Sequence, residues 1–384
     1  MTGRKRMRRC VYVFGLLVLL TTGAAAQTVL PGLIRAPIAI AIDLPDGRKV
    51  TLEGLVIRPD RSGRFPLVVL IHGTPRGDGP TFLATIARQS PARLNGPSVA
   101  FAQRGYVAVS IMRRGFGRSE GPYAEHISGT CDNRDYLEVA RTAGEDVAGA
   151  VAALRREPWV DPDHVLLLGW SSGGLAATAA AATNPAGVVG VLSVAGGRGS
   201  FAPGQICSAG RLVEGFGVFG KTARVPALWL YSENDRYFNA TLARQMFEAY
   251  TASGAPAQLQ MLPPFGTDGH MVLDAEPIEI WWQPVQTFLT ALHLPTSVVV
   301  ELPPLADLPP PTPINAACAA FFNRYYSART DVKAFAVNPE GHCGSSVMAR
   351  SRDEAKEEAM TRCARAWKDC RLYAVGQELV ERSN

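Results

Sequence analysis

At 384 residues the chain has room for one large α/β domain with a smaller unit beside it, and a hydrophobic content of 47% allows a sizeable core. The formal charge of +5 is owed to Arg4, Lys5, Arg6, Arg8 and Arg9, and the remainder carries 34 basic and 34 acidic residues. That balance excludes a nucleic-acid-binding surface built on net charge.

In chain order, residues 1–26 combine that basic start with an apolar run from Val11 to about Leu20 and the small-residue end Ala24-Ala25-Ala26. This pattern predicts a signal peptide cleaved before Gln27, and hence a periplasmic or secreted protein. The apolar run is shorter than the roughly 20 residues that a membrane span needs. With Cys10 in the leader, six cysteines remain: Cys131, Cys207, Cys318, Cys343, Cys363 and Cys370. An even number in an exported chain favours disulfides over metal ligation or free thiols.

Residues 27–300 open with two strands joined at the turn Pro45-Asp46-Gly47, the second being Lys49–Ile57. Pro66–Ile71 is continuously apolar, as a strand buried on both faces would be, and runs into His72-Gly73-Thr74-Pro75. Tyr106–Ile111 is a further strand that ends in the polar run Arg113–Gly121, and Thr142–Arg156 has helical spacing. His164–Leu168 then enters Gly169-Trp170-Ser171-Ser172-Gly173 and leaves through an alanine-rich helix. Strands at Gly187–Val194, Pro226–Tyr231 and Ala257–Leu262 follow, with a Gly-rich loop between the first two of these, to about Arg224. Strands alternating with helices predict a mostly parallel central sheet with helices on both faces. The polar clusters at His72, Arg113 and Ser171 all fall at carboxyl ends of strands, where ligands bind in such sheets.

Gly-x-Ser-x-Gly between a strand and a helix places Ser171 on a sharp turn, with Gly169 and Gly173 where side chains would collide with the strand and helix. A serine hydroxyl needs a base, and the base needs a group that orients it. Of the histidines after Ser171, His270 follows the last predicted strand of this region on a glycine-flanked loop, whereas His293 sits in a helix-like segment and His342 lies beyond the prolines. The acid is expected after Pro226–Tyr231, where Asp235 is the first choice and Glu233 the second. Ser171, Asp235 and His270 are therefore the candidate nucleophile, acid and base. An oxyanion hole is expected from the Ser172 N–H with that of Thr74 or Gly73, since Pro75 has none. Cys131 and Cys207 lie in loops flanking the elbow and are expected to form a disulfide at the mouth of the site. Phe201, Phe216 and Phe219 are either pocket lining or packing. Asn239-Ala240-Thr241 matches a glycosylation sequon. The Arg113–Gly121 run lacks the Lys-Ser/Thr ending of a phosphate-binding loop.

Residues 301–314 carry the six prolines of Glu301–Pro313 and read as a stiff extended linker. Residues 315–384 read as a small α+β unit. Its helices are Ala316–Tyr326, capped by Asn315, and Ser351–Trp367. Strands are expected at Lys333–Val337, after the turn Asn338–Gly341, and at Arg371–Val375. Some 70 residues make a marginal core, for which four cysteines would be staples. A zinc set of His342, Cys343, Cys363 and Cys370 is the less favoured use of the same residues.

His72-Gly73, the Gly169–Gly173 elbow, Asp235 after a strand and Gly269-His270 together resemble the α/β-hydrolase superfamily over roughly Gln27 to Leu294. Within it, this core and the Arg114–Gly121 loop resemble the dienelactone hydrolase and prolyl-oligopeptidase-related branch. The resemblance implies an esterase, thioesterase or peptidase acting through an acyl-enzyme, although dienelactone hydrolases carry cysteine where Ser171 stands. The C-terminal unit is similar to small cysteine-containing domains of secreted bacterial proteins. The expectation is an exported serine hydrolase of esters or related acyl bonds in small molecules or peptides, needing no metal or cofactor. The contrasting expectation is a catalytically idle protein that binds an envelope component through the C-terminal unit.

Overall fold

Apolar runs cut by Gly- and Pro-containing turns give the strands of the main sheet. The computed structural model describes residues 28–380 except 78, 276 and 277, so the expected signal peptide lies outside the described residues. The chain begins with β1 (Thr28–Leu30), β2 (Leu33–Asp43) and β3 (Lys49–Pro59), an antiparallel ribbon whose second turn is the expected Pro45-Asp46-Gly47. It continues through β4 (Phe65–Ile71), α1 (Gly79–Ala87), α2 (Asn95–Ala102) and β5 (Val107–Ile111). Next come α3 (Tyr136–Leu154), β6 (Val160–Trp170), α4 (Ser172–Ala181) and β7 (Val188–Val194). A small hairpin of β8 (Ser200–Ala202) and β9 (Gln205–Ile206) leads to α5 (Ala209–Gly220) and β10 (Ala227–Ser232). Then α6 (Ala240–Ala252), β11 (Ala257–Leu262) and α7 (Glu279–Ala291) complete this part.

The strands lie in the order β1-β2-β3-β5-β4-β6-β7-β10-β11, and every pair from β5 to β11 is parallel. From β4 the chain moves outward to β5, then returns to place β6 on the other side of β4. This reversal opens a crevice between the carboxyl ends of β4 and β6, the usual ligand position in an open α/β sheet. Alternation along β6 sends Val165 and Leu167 into the core shared with α3 to α6. Leu166 and Leu168 enter the core on the opposite face, shared with α2 and α7. Burial on both faces explains why these strands read as unbroken apolar runs.

Two expectations are corrected here. α3 starts at Tyr136 rather than Thr142, because Asp135 Oδ1 accepts from the N–H groups of Leu137 and Glu138 and caps an extra turn. The expected Gly-rich loop before Arg224 contains α5. There Leu212, Phe216 and Phe219 bury one face, and Gly220 lies so close to the Tyr250 carbonyl that a Cβ would overlap it. Packing against α6 thus overrides the low helix propensity of glycine.

Further on, α8 (Ala316–Ser327), β12 (Ala334–Val337), β13 (Cys343–Ser346), α9 (Arg352–Ala364), β14 (Arg371–Val375) and β15 (Glu378–Leu379) build a second, antiparallel sheet in the order β13-β12-β14-β15. Asn315 and Ser351 cap the two helices through their side-chain oxygens. Ala355, Ala359 and Cys363 form the buried stripe of α9. Disulfides join Cys318 to Cys343 and Cys363 to Cys370, so the zinc set is not assembled. Lys333 is fully buried and donates to the carbonyls of Tyr325, Tyr326 and Ala328, closing the end of α8.

Residues 301–314 form neither helix nor strand, in keeping with their prolines, but the segment is no free tether. Leu308 is buried in the apolar cluster around Phe322 and Phe335, and the Pro303 and Pro309 carbonyls accept from Arg329 and Tyr373. The C-terminal unit also touches the main sheet directly. Arg350 pairs with Glu53 of β3 and donates to the Gln89 carbonyl. Arg35 of β2, only 3% exposed, donates to the carbonyls of Ala349 and Arg350.

Candidate active site

β6 delivers Ser171 at the crevice with φ 58° and ψ −123°, a backbone state that costs about 1–3 kcal/mol for a residue with a side chain. The strain is held by bonds on both sides. Ser171 N–H donates to the Val194 carbonyl, and the Ser171 carbonyl accepts from Gly174 and Gly197. A Cβ at Gly169 would overlap the Gly173 carbonyl, and one at Gly173 would overlap the carbonyl of Ile71. Glycine at both positions is therefore a requirement of close approach. Ser171 itself is partly exposed at the crevice.

His270 sits in a short 3-10 turn, Gly269–Asp274, started by Asp268, whose Oδ1 accepts from the His270 N–H. Its carbonyl accepts from the indole of Trp170, which ties the loop to the residue before the serine. Asp235 follows β10 and caps the next turn, with Oδ1 accepting from the N–H groups of Tyr237 and Phe238. Its other oxygen, Oδ2, lies 3.1 Å from His270 Nδ1, and His270 Nε2 lies 3.1 Å from Ser171 Oγ. A carboxylate only accepts, so Nδ1 carries the proton and Nε2 is left to accept from the serine hydroxyl. Asp235 and His270 are each 3% exposed. The second-choice acid, Glu233, is exposed, and it is Asp235 that faces the imidazole.

Among the described residues, the backbone N–H groups of Thr74 and Ser172 donate to no other group. Ser172 is the first residue of α4, where an N–H has no partner within the helix. The hydroxyls of Thr74 and Ser172 bond each other at 2.8 Å. Gly73 is pressed against the elbow, with Ser171 Cβ 3.0 Å from where its own Cβ would be.

Beneath these groups lies a cluster of buried charges. Glu125 pairs with Arg113 and with Arg198, and Arg198 also takes the Tyr123 hydroxyl at 2.7 Å and binds Thr74 Oγ1. Arg113 donates to the His72 carbonyl at 2.6 Å and reaches the Thr74 and Ser172 hydroxyls at 3.4 Å. Burial pushes the Glu125 carboxyl up, but the two guanidiniums outweigh it and hold the group at about 2. The cluster therefore keeps one positive charge in excess, beside the hydroxyls of Thr74 and Ser172. His72 is neutral. Burial and the Arg113 charge lower it to about 3, while Nδ1 donates to the Gly73 carbonyl and Nε2 accepts from the Arg113 N–H.

Sequence reasoning flagged Arg113 as one of the polar clusters at strand ends, but missed Glu125, Arg198 and Tyr123. The one available signal was Gly196-Gly197-Arg198-Gly199, a charged residue among glycines directly beyond a buried strand. Of the aromatic candidates, Phe201 lines a cavity of about 560 Å³ that opens onto Ser171, while Phe216 and Phe219 are core. Cys207 lines the same cavity, and the expected disulfide with Cys131 is present. Asn239 is exposed and caps α6 through its side-chain oxygen.

A sheet of this order with a strained serine between strand and helix defines an α/β hydrolase. The chain belongs to the alpha/beta hydrolase family, which it matches over residues 68–358. Among solved structures it is similar to a Klebsiella pneumoniae protein described as a dienelactone hydrolase, at 18% identity and a TM-score of 0.42 over 66% of this chain and 99% of that one. An esterase from Pyrococcus furiosus matches at 14% identity and a TM-score of 0.47, over 67% and 91%. An acetyl xylan esterase from Paenibacillus sp. R4 matches at 17% identity and a TM-score of 0.46, over 69% and 87%.

Proposed function

We propose that the protein is an exported serine hydrolase that cleaves esters or related acyl bonds. The observation that carries this reading is the chain of contacts from Ser171 Oγ through His270 to Asp235, set on a strained elbow at the sheet's switch point. In the proposed reaction Ser171 Oγ attacks the acyl carbon while its proton passes to His270 Nε2. Asp235 holds the ring and stabilises the imidazolium. The Ser172 N–H, with that of Thr74 or Gly73, receives the oxyanion, and the excess guanidinium charge beneath favours it. Collapse of the tetrahedral adduct breaks the bond to the leaving group, which takes the proton from His270. Water, deprotonated by the same ring, then releases the acid and restores Ser171.

Export is supported by the disulfides, which persist in oxidising compartments. No helix among the described residues is long and apolar enough to cross a membrane. The test is turnover of p-nitrophenyl acetate by the full mature chain and by Ser171→Ala, with fluorophosphonate labelling mapped by mass. Turnover lost in the variant, and label on Ser171, is the expected result. Well-folded protein with neither turnover nor label would replace this reading with that of a binding protein.

A further inference from the structure

Ser171 and Thr74 border two cavities, not one. The first, of about 560 Å³, contains Ser172, Arg198 and Phe201 and lacks His270. The second, of about 460 Å³, contains Trp170 at the end of β6, His270, and Met348, Glu358 and Arg362 from the C-terminal unit. In serine hydrolysis the departing group must take its proton from the histidine, so it lies on the histidine side. The second cavity is then the leaving-group side, and the first is left for the acyl part.

The C-terminal wall is fixed in place. Met348 immediately precedes Ala349 and Arg350, whose carbonyls accept from the buried Arg35, and the Arg350 guanidinium is held by Glu53 and by the Gln89 carbonyl. Glu358 and Arg362 stand one turn apart on α9 and pair at 2.7 Å. The cavity's charges are unbalanced. Arg76, Arg88, Arg93 and Arg362 line it against Asp268 and Glu358. Arg93 is occupied by both oxygens of Asp274, and Arg362 by Glu358 and the Ser345 carbonyl. Arg76 lies on the Tyr237 ring. The Arg88 guanidinium has no hydrogen-bond or ion-pair partner among the described residues, and it faces the same space as Arg362.

We infer that the C-terminal unit is the outer wall of a leaving-group subsite, and that Arg88, the uncommitted guanidinium of this cavity, makes the subsite select esters whose alcohol part carries a carboxylate. The inference rests on the serine-hydrolase reading and deepens it. A free guanidinium can take a carboxylate with two parallel bonds, which a neutral leaving group cannot return.

The test compares phenyl acetate with 4-acetoxybenzoate, which share an acyl group and differ by one carboxylate on the leaving group. The full chain should prefer 4-acetoxybenzoate, and Arg88→Ala should reduce the ratio of the two kcat/KM values by about tenfold. Arg88→Lys should restore part of the preference. Met348→Trp, which fills the cavity from the C-terminal side, should raise KM for 4-acetoxybenzoate. Titration with the product 4-hydroxybenzoate reads the same subsite without turnover, and binding should weaken in Arg88→Ala. Ratios and product binding that match between the full chain and Arg88→Ala, with fluorophosphonate still on Ser171, would overturn the subsite alone. Absence of label from Ser171 would overturn the hydrolase reading beneath it.

Discussion

Glu125 and Asp235 are both buried carboxylates within the same crevice, and they are partnered in opposite ways. Glu125 is saturated by the guanidiniums of Arg113 and Arg198, with Tyr123 bonded across the same cluster. Asp235 spends one oxygen on two backbone N–H groups and keeps the other for a single imidazole. The first arrangement has no proton to move and holds a loop in place. The second leaves His270 Nε2 as an open acceptor facing a hydroxyl. Fully partnered charges build the floor of this site, and a partly partnered one is poised for chemistry.

Substitutions can break that contrast from either side. The largest effect is expected at Ser171→Ala, with kcat for p-nitrophenyl acetate falling roughly 10⁶-fold, while urea unfolding stays within about 0.5 kcal/mol of the native chain. Next is Asp235→Asn. The amide oxygen can still accept from Tyr237 and Phe238, so the fold is kept. Its NH₂ group now faces His270 Nδ1 and selects the tautomer that leaves Nε2 protonated, for an expected loss of roughly 10⁴-fold in kcat. An Asp235→Asn variant with full turnover would show that the imidazole is oriented by something else.

Glu125→Gln attacks the other assembly and should reverse the pattern. Removing the carboxylate leaves two buried guanidiniums facing each other, with an expected loss of about 3–5 kcal/mol in urea unfolding. The surviving folded fraction should still take fluorophosphonate on Ser171. The native chain does not reach this state in mild acid. With the folded carboxyl held at about 2, below its ordinary 4.5, the stabilisation is complete above 4.5, declines as pH falls from there, and is gone once pH has fallen through about 2.

The two assemblies also differ in how legible they are in the amino-acid sequence. His72, Ser171 and Asp235 each stand just after a strand and His270 on the loop beyond the last strand of the main sheet, and local signals mark them: an apolar run, a flanking glycine, a residue type with one plausible task. Glu125 and Arg198 lie in loops with no period to read. They are 73 residues apart in the chain, and only the packing of those loops makes a carboxylate and a guanidinium partners. The same reason hides the C-terminal wall of the crevice. Its helices and strands follow from caps and apolar stripes, but its seat depends on contacts such as Arg35 to Ala349, 314 residues apart. In α5 local propensity pointed the wrong way, because what its glycines cost the helix is offset by close packing on α6.

His72 offers the finest comparison, since it is bonded to Arg113 of the fully partnered assembly and is itself a titratable group without a carboxylate. It is fully buried with both ring nitrogens satisfied in the neutral form, and its folded value is lowered to about 3 from an ordinary 6.5. Protonation would turn Nε2 from an acceptor into a donor aimed at the Arg113 N–H. A lowered folded value means that the unfolded chain binds the proton first. The stabilisation is therefore complete above pH 6.5 and is lost as pH falls from there toward 3, at up to about 1.4 kcal/mol per unit. His72→Gln places an amide oxygen where Nε2 accepts and has nothing to titrate. Urea unfolding of both proteins at pH 7 and pH 4 should show the native chain's advantage over His72→Gln shrinking by roughly 2–3 kcal/mol. Parallel stability curves would mean that His72 titrates alike in both states. In that case burial and the Arg113 charge do not keep the ring neutral, and the floor of the crevice tolerates a third positive charge.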